Sequence, residues 1–350
     1  MAERIETVDW LDPEQRAAVD ALIRAATIAD GVPPIGEHKY LKLHTGGGSA
    51  RALLAYDDDR LCGYAQLLAT GDRVTAEVVV DPDARGRGLG GRLIAAARRL
   101  AAAAGARELK LWSYGALAPA AAAAARQGLA ARRTLLELER PLDTLPPRPA
   151  LRSYAVRRFD PDRDCETWLQ LHDRIFADHP EHGAWSLDDL EARLSQPWFD
   201  AEDFLIAERG GRMVGFNWLK RTPDPSQARP QGEIYIIGVA GSERGRGLGR
   251  ALAVLGLHHL RERGMAVCIL YVEGDNAPAL RLYRALGFMV RHTHRCYALP
   301  LAAGQSASVQ VESGEPSAEG REPRVALSSL VAPRSTLHAR LSAPVSRHGP

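Results

Sequence analysis

Apolar positions along this chain switch between two spacings. Runs rich in β-branched and aromatic residues at 203–208 (DFLIAE), 212–219 (RMVGFNWL), 233–239, 266–272 (AVCILYV) and 288–298 predict strands. Between them, apolar residues recur every three or four positions and predict helices near 165–177, 186–196, 248–263 and 276–286, with Ser186 placed to cap the second. The first half carries the same kind of succession, with strands near 52–56, 61–68, 76–80 and 107–112. Alternation of strand and helix predicts an α/β layered fold.

The pattern occurs twice. Residues 76–90 read AEVVVDPDARGRGLG and residues 235–249 read YIIGVAGSERGRGLG. Aligning Arg85 with Arg244 at a separation of 159 also aligns Gly88 with Gly247, Gly90 with Gly249, Ala118-Pro119-Ala120 with Ala277-Pro278-Ala279, and Gly128 with Gly287. A glycine-rich loop arising by chance would not carry its downstream spacing with it, so the chain is read as a tandem duplication. Pro141, Pro146, Pro147 and Pro149 mark a semi-rigid linker at 141–150. The expected domains are therefore 1–140 and 151–300. The Ser-, Ala-, Pro- and Gly-rich stretch 301–350 has too little to bury and is expected to be disordered.

Composition narrows the function classes. A formal net charge of +2 gives no field for nucleic acid or an anionic membrane. Of 45 basic Lys and Arg residues only Lys39, Lys42, Lys110 and Lys220 are lysines, a bias that fits GC-rich coding. The four cysteines form no CxxC pair, and His292 and His294 have no evident third ligand, so no metal is expected. The opening MAERIETVDW lacks a signal peptide's apolar stretch, and no run is long enough to span a membrane. A cytoplasmic monomer acting on a small molecule is the expectation.

The chemistry lies in the loops. Arg244, Gly245, Arg246, Gly247, Leu248, Gly249 and Arg250 bridge a predicted strand and helix, as do Arg85, Gly86, Arg87, Gly88, Leu89 and Gly90. Glycines let successive backbone N–H groups converge, and a helix N-terminus adds free donors and a positive dipole end. Such a cradle fits a phosphate or pyrophosphate. The Gly-Lys-Ser/Thr of a Walker loop is absent, and a G-x-G-x-x-G match at Gly86, Gly88 and Gly91 breaks at Arg250 in the second copy; both copies share R-x-x-G-x-G.

That motif after a strand ending in Val, followed by Asn276, Ala279, Tyr283, Gly287 and Phe288 at their spacing, resembles the GNAT acetyltransferase family. The stretches Asp30 to Glu37, Phe176 to Trp185, Gly215 to Lys220, Gly232 to Val239 and Leu270 to Asn276 are similar, more narrowly, to the mycothiol synthase family of tandem GNAT enzymes. The resemblance implies two tandem GNAT-like domains, each a mixed, mostly antiparallel sheet flanked by helices. It implies N-acetylation, by acetyl-CoA, of the cysteinyl amine of an aminosugar-inositol thiol. It places acetyl-CoA on Ile237, Gly238, Val239, Arg244 to Arg250 and Asn276, Ala277, Pro278, Ala279, Leu280 and Arg281, and in the first copy on Val78, Val79, Val80 and Arg85 to Gly90. It gives Glu37, Glu181, Lys220, Glu233 and Tyr271 to the acceptor, Glu233 also to general base catalysis, and Tyr283 to protonation of the leaving thiolate. At the separation of 159, Glu233 falls on Val74, Tyr283 on Ala124 and Tyr271 on Trp112, so chemistry is expected in the second copy alone. A tandem GNAT acting on an aminoglycoside or polyamine, and a non-catalytic acetyl-CoA-binding module, remain the alternatives.

Overall fold

The computed structural model describes residues 3–45, 50–151, 153–177, 185–221 and 229–301. Of the expected disordered tail only Leu301 falls within them, and it is ordered: it is buried in the first repeat's core and its N–H donates to Arg107 O at 2.8 Å. The described residues fall in one compact unit. In chain order the first repeat holds β1 (Glu3–Val8), α1 (Pro13–Asp30), α2 (Glu37–Thr45), β2 (Ala50–Asp57), β3 (Arg60–Thr70), β4 (Arg73–Val80), α3 (Leu89–Ala103), β5 (Glu108–Ser113), α4 (Ala118–Arg126) and β6 (Ala130–Pro141). The second holds β7 (Ala155–Arg158), α5 (Pro161–Phe176), α6 (Leu187–Leu194), β8 (Phe204–Arg209), β9 (Arg212–Arg221), β10 (Gln231–Val239), α7 (Leu248–Glu262), β11 (Val267–Glu273), α8 (Ala277–Ala285) and β12 (Met289–Pro300). Ser186 caps α6 as expected, in a reciprocal pair with Asp189.

All these strands form one sheet in the order β1-β2-β3-β4-β5-β12-β6-β11-β10-β9-β8-β7. Only β4–β5 and β10–β11 are parallel pairs. The last strand of each repeat lies in the other repeat's half: β12 pairs with β5, and β6 pairs with β11. The two exchanged strands pair with each other at the centre of the sheet. This exchange places Glu137 of the first repeat directly opposite Tyr271 of the second.

Each half is layered on both faces, because its strands bury alternate apolar residues on either side. α3 and α4 cover one face of the first half with Leu93, Ile94 and Ala97, and α1 covers the other with Val19, Leu22 and Ile23. α7 and α8 pack Leu257, Leu260 and Tyr283 on the second half, opposite an aromatic core of Trp168, Phe204, Phe216 and Trp218 beneath α5 and α6. The proline-rich linker is fastened to the second repeat. Leu142 is buried in its core and the Leu142 N–H donates to Ala266 O at 2.9 Å. His258 donates to Pro146 O at 2.8 Å. Among the described residues, no helix is long and apolar enough to cross a membrane.

Candidate active site

Both arginine-glycine loops have the strand–loop–helix backbone that the sequence predicts. In the second repeat a 3-10 turn, Gly241–Glu243, leads to Gly245 at φ 75° and Gly247 at φ 81°, and α7 starts at Leu248. In the first repeat Gly86 and Gly88 stand at φ 79° and 81° before α3. A Cβ at Gly245 or Gly247 would meet no other atom, so the left-handed backbone and not crowding requires glycine there. The first-turn N–H groups of α7 point out of the helix and satisfy no intrahelical carbonyl.

The loops differ in their arginines. Arg85 is spent within the protein: it grips Asp30 through both terminal nitrogens, at 2.7 and 2.9 Å, and donates from Nε to Val80 O at 3.2 Å. The Arg244 side chain is exposed and makes no hydrogen bond or ion pair among the described residues. Arg246 leans on the buried Glu243 carboxylate at 3.7 Å, itself held by Tyr154 and Arg209.

Beyond each parallel pairing the strands part. β4 stays with β5 as far as Glu77, whereas β10 leaves β11 after Glu233. From there Ile237, Gly238 and Val239 pair with β9 on one side only, as Val78 to Val80 pair with β3. In the first repeat the resulting gap is a cavity of about 530 Å³, lined by Val78 to Val80, the Arg85–Gly91 loop and α4.

Glu233 sits at the divergence point. Its neighbour Gly232 faces α7, where a Cβ would lie 2.6 Å from Leu260, so Glu233 faces the opposite layer. Lys220 is directly across on β9, with Nζ 4.9 Å from the Trp198 ring and 5.7 Å from that of Tyr235. Tyr235 is an extra residue: β10 bulges against β9 between Ile234 and Ile236, whereas β4 pairs with β3 without a shift. The bulge corrects the sequence alignment. Counting pairs from Gly215–Val239 and Gly63–Val80, the counterpart of Glu233 is Thr75 rather than Val74, and that of Lys220 is Leu68. The same correspondence follows from the opposite side, where Glu233 faces Ile269 and Thr75 faces Lys110.

Tyr271 is 45% exposed on β11 and donates to Glu137 at 3.4 Å. Tyr283 is 6% exposed on α8, edge-on to Phe288, and its hydroxyl makes no hydrogen bond among the described residues. Burial pushes its phenol well above the ordinary value, so it stays protonated. Asn276 caps α8 by accepting from the Ala279 N–H at 3.2 Å, Leu280 is buried, and Arg250 and Arg281 are exposed. Glu37 is the first residue of α2. Glu181 lies outside the described residues.

The exchanged strands add groups the sequence did not single out. Glu137 is 5% exposed, with Arg291 at 3.3 Å and the His294 Nε2 at 3.6 Å. Burial disfavours its charge, but His294 and Arg291 outweigh that and hold its carboxyl below the usual range. His294 is 1% exposed and accepts the Gly115 N–H at Nδ1, 3.1 Å, which leaves its proton on Nε2, toward Glu137. No signal in the sequence marks Glu137, because its partners come from the other repeat. Among the described residues no group of three His, Cys, Asp or Glu is placed to hold a metal.

A paired splay and a loop–helix cradle, with a carboxylate at the second splay and a buried phenol on α8, define an acetyltransferase of the GNAT class in tandem form. Residues 48–129 match the acetyltransferase (GNAT) domain, and residues 165–288 the acetyltransferase (GNAT) family. Among solved structures, a tandem GNAT protein from the clavulanic acid biosynthesis pathway superposes with a TM-score of 0.67 at 19% identity, over 87% of this chain and 100% of that one. A GCN5-related N-acetyltransferase from Sphaerobacter thermophilus gives 0.65 at 24% identity, over 85% and 95%. The mycothiol acetyltransferase of Thermomonospora curvata is 46% identical over 80% of this chain and 92% of its own length. That of Thermobispora bispora is 48% identical over 79% and 93%. The chain belongs to the mycothiol acetyltransferase family.

Proposed function

We propose that the second repeat acetylates the cysteinyl amine of 1D-myo-inositol 2-(L-cysteinylamino)-2-deoxy-glucopyranoside, the last step of mycothiol biosynthesis, as a cytoplasmic monomer. The name shared by the relatives supports the acceptor, and the GNAT fold implies acetyl-CoA as donor. One observation carries the assignment to the second repeat: a carboxylate paired across from Lys220 and a buried phenol on α8 occur there, while Thr75 and Ala124 stand at those places in the first, whose own divergence carboxylate, Glu77, is buried against Lys39.

The residues present fit the donor. The free edge at Ile237, Gly238 and Val239 offers backbone hydrogen bonds for an amide-bearing arm. The Arg244–Arg250 loop and the N-terminus of α7 offer donors for a pyrophosphate, and the first turn of α8, from Asn276 to Arg281, offers a wall. Bound there, acetyl-CoA supplies an acetyl thioester.

Glu233 takes a proton from the acceptor ammonium, directly or through water. An α-amino group has an ordinary pKa near ~7.7–8.0, so the base need not be strong. The freed amine attacks the carbonyl carbon, the C–S bond breaks, and the nitrogen loses its second proton to solvent. Tyr283 gives its proton to the departing sulfur, and solvent restores it. Lys220, Tyr271, Glu37 and Glu181 bind the polyhydroxylated remainder, with the carboxylates accepting from its hydroxyls and Lys220 donating. The first repeat's cradle, from Val78 to Val80 and Arg85 to Gly90, holds acetyl-CoA without turning it over.

The test is thiol release from acetyl-CoA with purified cysteinyl acceptor, aminoglycosides and polyamines side by side. Release with the cysteinyl acceptor alone is expected. Release with another amine and none with this one overturns the assignment of the acceptor.

A further inference from the structure

The silent repeat keeps a buried charge where its own chemistry has been lost. Glu77 is 2% exposed on β4, at the last pair before β4 and β5 part. Its Oε1 accepts from Lys39 Nζ at 2.8 Å and from the Tyr114 hydroxyl at 2.9 Å, and its Oε2 accepts from the Gly36 N–H at 2.8 Å. Lys39 is itself 7% exposed. Burying this pair away from water is costly, and replacing it with apolar residues is often neutral or better for stability. Its retention therefore asks for a positional reason.

Geometry supplies one. Two of the three donors belong to the start of α2. Gly36 immediately precedes it, and Lys39 lies in its first turn. A Cβ at Gly36 would clash with the Tyr114 hydroxyl, so that chain segment rests directly on the Tyr114 side chain. Tyr114 in turn meets His294 edge-on at 5.2 Å, and the His294 ring lies 5.9 Å from that of Tyr271. A continuous set of contacts thus runs from the residue before Glu37 to Tyr271, across the two repeats.

We propose that Glu77 is a positioning residue for the acceptor: with Lys39, Tyr114 and Gly36 it fixes the start of α2, and so the place of Glu37, relative to Tyr271. The proposal rests on the reading that Glu37 and Tyr271 both bind the acceptor. The first repeat then serves the reaction as one wall of its acceptor site. Its splay point, Glu77, where the second repeat has Ile236, is the anchor.

The experiment is steady-state kinetics of the full chain with Glu77→Gln, Tyr114→Phe, Glu37→Ala and the Glu37→Ala/Glu77→Gln double variant. Glu77→Gln is expected to raise the acceptor KM roughly tenfold, the scale of one charged hydrogen bond, with kcat and the acetyl-CoA KM within about twofold of wild type. Tyr114→Phe removes one hydrogen bond, keeps the ion pair and should raise it roughly threefold. If Glu77→Gln fails to fold, Tyr114→Phe decides. The double variant should be no worse than Glu37→Ala, because Glu77 acts through Glu37. A merely structural role would lower the melting temperature and leave the acceptor KM alone. An unchanged acceptor KM in the variants, or multiplicative effects in the double variant, overturns the proposal while wild-type turnover upholds the function. Absence of wild-type turnover with the cysteinyl amine overturns the functional reading first and this one with it.

Discussion

The two repeats keep their cradles within a few degrees of one another, with Gly88 and Gly247 both at φ 81°, yet diverge wherever a proton must move. Thr75 faces Glu233, Leu68 faces Lys220, Ala124 faces Tyr283 and Trp112 faces Tyr271 across the duplication. Even the motif arginine differs, since Asp30 holds Arg85 while Arg244 stands out toward solvent. Under the proposed roles, the shared loop and helix with different residues at the acid and base positions would make binding geometry and catalysis separable demands on one fold. The cradle is made of backbone, whereas proton transfer needs two particular side chains.

The comparison breaks most readily at those side chains. Tyr283→Phe and Glu233→Gln should each lower kcat roughly 10²- to 10⁴-fold, the scale of one general acid or base. Wild-type kcat in both would remove chemistry from the second repeat. A different asymmetry concerns stability. Asp203, fully buried, accepts from His259 and Arg221 near the end of α7, where α3 has Leu100 in place of His259. Burial opposes the Asp203 charge, but those two partners hold its carboxyl below the ordinary 3.8. Its stabilisation is therefore complete above that value and lost as pH falls through the lower folded one. Acid denaturation followed by circular dichroism should show this loss below about pH 4, and Asp203→Asn should cost roughly 3–5 kcal/mol at neutral pH and flatten the acid limb.

Smaller effects sharpen the contrast between the loops. Arg244→Ala should raise the acetyl-CoA KM roughly tenfold, as for a lost charge-assisted hydrogen bond, while Arg85→Ala leaves kcat within about twofold. A large kcat loss from Arg85→Ala, with the fold retained, would give the first repeat a catalytic part. Gly88→Ala and Gly247→Ala should each cost roughly 1–2 kcal/mol in chemical denaturation, because both force a Cβ into the left-handed region. Only Gly247→Ala should also raise the acetyl-CoA KM.

Much of this was legible from the chain. The helices and all strands of the second repeat except β7, the cap at Ser186, both loops and the tandem architecture follow from period and spacing. Glu233, Lys220 and Tyr271 do share a region of the sheet. The bulge at Tyr235 was not legible, since a single residue inserted within an apolar strand leaves no break in the pattern. Glu77 and Glu137 were not legible either, and His294 stood out only as half of a His-x-His pair, without its partners. A carboxylate in an alternating strand reads as a solvated position until the strand facing it is known.

Sequence alone determined the repeated unit, the placement of glycines at backbone angles that other residues resist, and the loss of Tyr283's counterpart. These are local facts, fixed by chain geometry and residue type. Only the tertiary structure decided that β6 and β12 change places. Backbone ladders do not read sequence, and the two strands carry similar apolar alternation, so local preference does not say which half each closes. That exchange set Glu137 against Tyr271 and His294 against Tyr114, and so joined the two repeats.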